Sequence, residues 1–242
     1  MSAFAVLLAA HAIGDYVFQT AASIAEKREK RLRSWRFWRH IAGHGLLAAL
    51  ALALAEVPPG RALLIGALSA ALHGVVDWAK VAVDPRLPER SPWKVRAYLL
   101  DQTLHVLTAY ALAATTPATP DPALLVASAW IALVLLSTAG IGHAIGMYLA
   151  RFGEVPGEEG LPGAGFQIGT IERLLVVVFV VLQVWEAVGF LLTAKSIFRF
   201  GDIQRAQSRA LTEYVLIGTL VSVGGAALLA LLFQIGLPLG HW

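Results

Sequence analysis

Residues 61–83, RALLIGALSAALHGVVDWAKVAV, decide how this chain is read. A helix needs ~20 mostly apolar residues to cross the hydrocarbon core of a bilayer. This run has that length and is built of Ala, Leu, Val, Ile and Gly. It nevertheless carries His73, Asp77 and Lys80, four and three residues apart. Such spacing puts all three on one helix face. Ionisable groups inside a span are costly, and they sit in bundle interiors where they serve a function.

Working outward, the same pattern recurs on neighbouring segments. His11 precedes Asp15 by four, with Gln19 a turn beyond. His40 precedes His44 by four. Asp101 precedes His105 by four, with Gln102 beside it. The whole chain is 57% hydrophobic and 14% charged, whereas soluble domains average roughly 25% charged residues. This balance describes a polytopic membrane protein, all-α, a bundle of about seven transmembrane helices. The expected spans are 3–20, 40–56, 61–83, 97–115, 123–150, 170–193 and 211–236. Alternation of the strand type is absent.

Breaks divide the chain. Glu56-Val57-Pro58-Pro59-Gly60 closes a tight hairpin. The segment 117–122 is a proline-rich linker between a four-helix domain, 1–116, and a three-helix domain, 123–242. Gly153 to Gly169 reads as a loop. The N-terminus lacks a basic region and carries His11 and Asp15, unlike a cleaved signal. There is no cysteine, so thiolate metal sites are excluded. Of 19 Lys and Arg, 16 fall in 26–40, 80–96 and 194–210. These read as juxtamembrane loops near lipid headgroups, the last as an interfacial segment, rather than as one nucleic-acid face. P-loop, dinucleotide, G-x-S-x-G and H-E-x-x-H motifs are missing.

Orientation sharpens the pattern. Basic loops 26–40 and 80–96 are separated by two spans, so both face the cytoplasm and the N-terminus lies outside. Loop 194–210 conflicts with seven simple crossings. On four alternating helices the polar groups then share one depth, within ~15 Å of the cytoplasmic boundary at 1.5 Å per residue. Imidazole and carboxylate are ligands for divalent transition metals, zinc first. The expected ligands are His11, His73, His105 and Asp77, with His44 next. Asp15 and Asp101 are the expected catalytic carboxylates, as base or further ligands. Lys80, Gln19 and Gln102 are expected to hold substrate. His40 follows Arg39 and reads as a loop residue.

The run His11-x3-Asp15-x3-Gln19, His73-x3-Asp77-x2-Lys80 and Asp101-Gln102-x2-His105 resembles bacterial membrane proteins of domain-of-unknown-function family 3307, over about 3–112. Stretches 168–173, 194–200 and 213–219 resemble the extension of longer members. The resemblance implies a bacterial inner-membrane location and supports the residue set, with no activity attached. A looser likeness to membrane-embedded metal hydrolases is analogy.

In the C-terminal half, Lys195 and Arg199 are expected near Glu213, forming an anion or lipid-headgroup site. Glu186 is expected to need a partner within its span. Gly142 and Gly146 form a GxxxG, a face for packing or for a homo-oligomer. Three functions compete. One is a metal-dependent hydrolase acting on a lipid or lipid-linked substrate. Another is a transporter or ion path using the same groups. The third is a scaffold whose loop 26–40, with Trp35, Phe37 and Trp38, docks a soluble partner.

Overall fold

The computed structural model describes residues 2–153, 161, 163–206 and 209–237, with backbone alone for 198–206. All regular structure among the described residues is helical. The elements are α1 (Ser2–Tyr16), α2 (Ala21–Lys30), α3 (Trp35–Leu54), α4 (Pro59–Val83) and α5 (Pro92–Ala114). They continue with α6 (Pro122–Leu135), α7 (Ile141–Ala150), α8 (Ala164–Val181), α9 (Trp185–Ala206) and α10 (Arg209–Gly236). Five helical stretches are long and apolar enough to cross a membrane: 35–54, 59–86, 122–150, 164–181 and 209–236. The pair α1 and α2 makes a sixth if taken as one bent span. The expected span in α5 is not among them; that helix carries Lys94, Arg96, Asp101 and His105.

Two compact units are present, one running to Leu135 and the other from Leu136 to Gly236. In the first, α1 is packed against α3, α5 and α6, α3 lies along α4, and α4 contacts α5. The compact unit therefore runs past the proline-rich linker and takes in α6. Apart from the face that carries His11 and Asp15, helix α1 is apolar, and most of it is buried. It stops at Tyr16, where the chain bends by 82° into α2. Thr20 caps α2, its hydroxyl accepting from the Ser23 N–H at 3.2 Å. The expected span 3–20 is thus shorter, and the expected loop 26–40 is helical throughout except at Ser34.

Small residues set the spacing of α3 and α4. A Cβ on Gly66 would lie 2.6 Å from the Gly45 carbonyl oxygen, so the two backbones touch at this crossing. Large apolar side chains of α4, Leu63, Leu64 and Leu68 among them, point outward. The hairpin expected at 56–60 is present, with Glu56 at φ 60.

In the second unit α8 packs on α10, and α7 and α9 also contact these two helices. The expected helix 170–193 is divided. Gln183 has φ 60 and ends α8, and α9 restarts at Trp185. Gln234 of α10 donates to the Val181 carbonyl freed by this break, at 3.1 Å. Glu186 falls in the first turn of α9 and is exposed, so burial imposes no demand for a partner.

Candidate metal centre

Four helices of the first unit each contribute residues at two levels, one turn apart. His11 of α1, His44 of α3, His73 of α4 and His105 of α5 form one level. Asp15, His40, Asp77 and Asp101 form the next. The i, i+4 repeat on each helix is what aligns them. All four imidazoles of the first level are buried, as are Asp77 and Asp101.

The imidazoles form one continuous stack. His44 lies on His73 with ring centres 3.6 Å apart, and His73 on His105 at 4.2 Å. The His11 ring centre is 4.8 Å from that of His105. Gly14 makes the approach possible, because a Cβ there would come within 2.4 Å of the His44 ring.

Asp15 is the hub. Its Oδ1 lies 3.1 Å from His44 Nε2, 3.3 Å from His40 Nε2 and 3.9 Å from His73 Nε2. Its Oδ2 lies 3.7 Å from His11 Nε2. The Nε2 atoms of His40 and His73 face each other at 3.1 Å. His11 Nε2 is buried without a hydrogen-bond partner. Zinc–nitrogen bonds of ~2.0–2.1 Å in a tetrahedron put neighbouring ligand atoms ~3.3 Å apart. The observed separations fall around that value. Two sets have ligand atoms within 4.8 Å of one another: His11, Asp15, His44 and His73, and His40, His73 and Asp77.

Around this core lies a ring of compensating groups. Lys27 Nζ donates to Asp77 Oδ2 at 2.7 Å, and Lys80 Nζ to Asp101 Oδ2 at 2.6 Å. Asp101 Oδ1 is 3.4 Å from His105 Nε2. The Gln102 amide donates to Asp15 Oδ2 at 3.3 Å and to Asp101 Oδ2 at 3.1 Å. Tyr16 donates to Gln102 Oε1 at 2.8 Å and shares a hydrogen bond with Tyr98 at 2.9 Å. Gln19 meets His40 at 3.2 Å. Three carboxylates thus face two ammonium groups. With neutral imidazoles, one negative charge remains in a buried setting, which suits a bound cation.

The structure brings together His11, Asp15, Gln19, His44, His73, Asp77, Lys80, Asp101, Gln102 and His105. It reorders them: Asp15 and His44 are central, while Asp77 is paired with Lys27 and His105 with Asp101. Lys80 and Gln102 are engaged with these carboxylates rather than free for substrate. Lys195 belongs to the second unit, where it pairs with Glu172, and Glu213 pairs with Arg209 instead. The side chain of Arg199 lies outside the described residues. Sequence reasoning missed His40, Lys27, Tyr16 and Tyr98. Lys27 and Ser23, four residues apart, are the buried residues of α2.

Residues 3–134 match the family model described as protein of unknown function, DUF3307. The chain belongs to domain-of-unknown-function family 3307. The matched segment stops one residue short of the first unit's end at Leu135 and holds every residue of the polar cluster. No curated protein and no solved structure matches the chain. Membership in family 3307 therefore brings no activity with it, and chemistry has to be argued from the cluster.

Proposed function

We propose that this member of family 3307 is an integral protein of the bacterial inner membrane and a metal-dependent hydrolase of lipid or lipid-linked substrates. The observation that carries this reading is the convergence of His11, His44 and His73 Nε2 on Asp15, with His11 Nε2 buried and unpaired. These four residues would hold one divalent ion, zinc by donor type. A bound ion of this kind supplies a water that ionises near neutral pH. His105, with its Nε2 3.4 Å from Asp101 Oδ1, stands beside the ligands and is the general base; Lys80 fixes Asp101 in turn. Gln102 and Tyr16 orient the second oxygen of Asp15.

The transporter reading is less well supported. Beyond the imidazole level the bundle is filled by Leu7, Ala48, Leu52, Val57, Ala62 and Ile65. A polar track across the membrane would have to pass that apolar plug. Around α2, exposed Trp35 and Trp38 among arginines suit anchorage at a lipid surface.

Elemental analysis of detergent-purified protein tests the proposal. About one equivalent of a transition metal is expected, with near-complete loss in His73→Ala. Metal-free protein, together with a His73→Ala variant of unaltered stability, would overturn it.

A further inference from the structure

One turn beyond the imidazoles, on the side away from the carboxylates, lies a cavity of about 20 Å³, room for roughly one water. Its floor is His11, His44, His73 and His105, and its walls include Leu7 and Ala48. Ser69, one turn before His73, and Thr108, just beyond His105, complete it. Every other lining residue is buried; Ser69 and Thr108 are half-exposed. Ser69 is on α4 and Thr108 on α5, so the cavity comes nearest the surface at the seam between these two contacting helices.

The other approaches are closed. Lys27–Asp77, Lys80–Asp101 and the Tyr16–Gln102 bond occupy the carboxylate side. The apolar cluster of Leu52, Ala62 and Ile65 fills the far end, and α3 and α5 flank α1. The seam itself is bordered by Leu68, Leu72, Leu104 and Leu107, all substantially exposed. Such a surround favours an acyl chain over an aqueous solute.

We infer that the α4–α5 seam at Ser69 and Thr108 is a lateral entry from the bilayer, admitting a lipid whose uncharged acyl carbonyl is the group presented to the metal. This rests on the metal-centre reading above. The class follows from the lining. No Lys or Arg lines the cavity, so nothing but the ion itself would neutralise a phosphate there. The buried Lys27 and the half-buried Lys80 are both committed to carboxylates. A narrow opening between leucines also suits a chain-borne ester or amide better than a bulky headgroup.

Two measurements separate the entry from the ion. The chain has no cysteine, so Ser69→Cys and Thr108→Cys can each take a nitroxide label in nanodiscs of phosphatidylglycerol and phosphatidylethanolamine. Collision with oxygen should exceed collision with a water-soluble nickel chelate at both positions. The reverse order would overturn a lipid-facing entry whether or not metal is bound. In cobalt-loaded protein, dodecanohydroxamate should shift the visible spectrum while acetohydroxamate at equal concentration does not. Ser69→Phe should weaken that response by at least about tenfold with cobalt content unchanged. Equal action of the short hydroxamate, or no effect of Ser69→Phe, would overturn the entry. A stronger response to dodecylphosphonate would overturn the carbonyl class. Failure to bind cobalt at all would count against the metal centre, leaving the label experiment to judge the seam.

Discussion

The polar cluster of the first unit and the Arg173 site of the second are both buried, and they are built on opposite plans. Around Asp15, the Nε2 atoms of several imidazoles converge on one carboxylate, and His11 Nε2 is left without a hydrogen-bond partner. At Arg173 the donors diverge. One guanidinium nitrogen reaches Ser222 Oγ at 3.2 Å, and another reaches the Thr138 carbonyl at 2.9 Å and Thr170 Oγ1 at 3.2 Å. Thr138 lies in a π turn, Leu136–Gly140. Glycines leave the guanidinium its space: a Cβ on Gly142 would be 2.8 Å from it, and one on Gly169 3.0 Å. Imidazole nitrogens and a carboxylate that converge are a donor set a cation could share, whereas diverging donors on neutral oxygens describe a tie between α8, α10 and the π turn. Burial of charge alone does not separate the two; the direction of the hydrogen-bonding groups does.

The largest effect that would break this contrast is on metal. His44→Ala should abolish retained metal, and Arg173→Met should leave it untouched, both read by elemental analysis. Equal loss in the two variants would erase the distinction. Next in size is the compensating ring. Lys27→Met leaves Asp77 buried beside no cation and should cost about 3–5 kcal/mol in denaturant unfolding. Adding Asp77→Leu should recover most of that loss. Arg173→Met strips a donor from the Thr138 carbonyl and should cost about 1–3 kcal/mol, with the metal still bound. Gly14→Ala forces the His44 ring away and should cost about 1–3 kcal/mol together with metal affinity. Gly146→Ala meets nothing within 4 Å and should be silent. The smallest measurable loss sharpens the boundary of α3. Ser34 accepts from the Phe37 N–H at 3.2 Å and donates to Glu26 at 2.9 Å. Ser34→Ala should therefore cost about 1 kcal/mol.

Depth was legible before packing was known, because residues four apart on alternating helices share a level whatever the helices' rotation. That argument placed His11, His44, His73 and His105 together. Rotation about each axis was not legible, since it depends on contacts such as Gly45 against Gly66 and Gly14 against His44. For that reason Asp15 looked peripheral and Asp77 looked central. His40 was lost because Arg39 beside it suggested a loop, although α3 already begins at Trp35. Lys27 was hidden among seven basic residues in 26–40. In the C-terminal half, the run 174–192 has only Gln183 and Glu186 as polar residues, and nothing in it showed that Gln183 would turn left-handed. That single dihedral restarts the chain as α9, where Lys195 meets Glu172 and not Glu213. Gly142, read from the sequence as half of a GxxxG, leaves room for the Arg173 guanidinium.

The way α2 is held has a further consequence. Only Ser23 and Lys27 of its ten residues are buried, so little apolar area fastens it to the bundle. Its attachment is chiefly polar: the buried Lys27–Asp77 pair, with Glu26 reaching Ser34 and Arg36. Segments so lightly packed open on their own, without global unfolding. In amide hydrogen exchange the α2 backbone should therefore lose protection well before α1 or α3, and Lys27→Met should accelerate its exchange the most. Each such excursion would bare Asp77 and the neighbouring imidazoles to water.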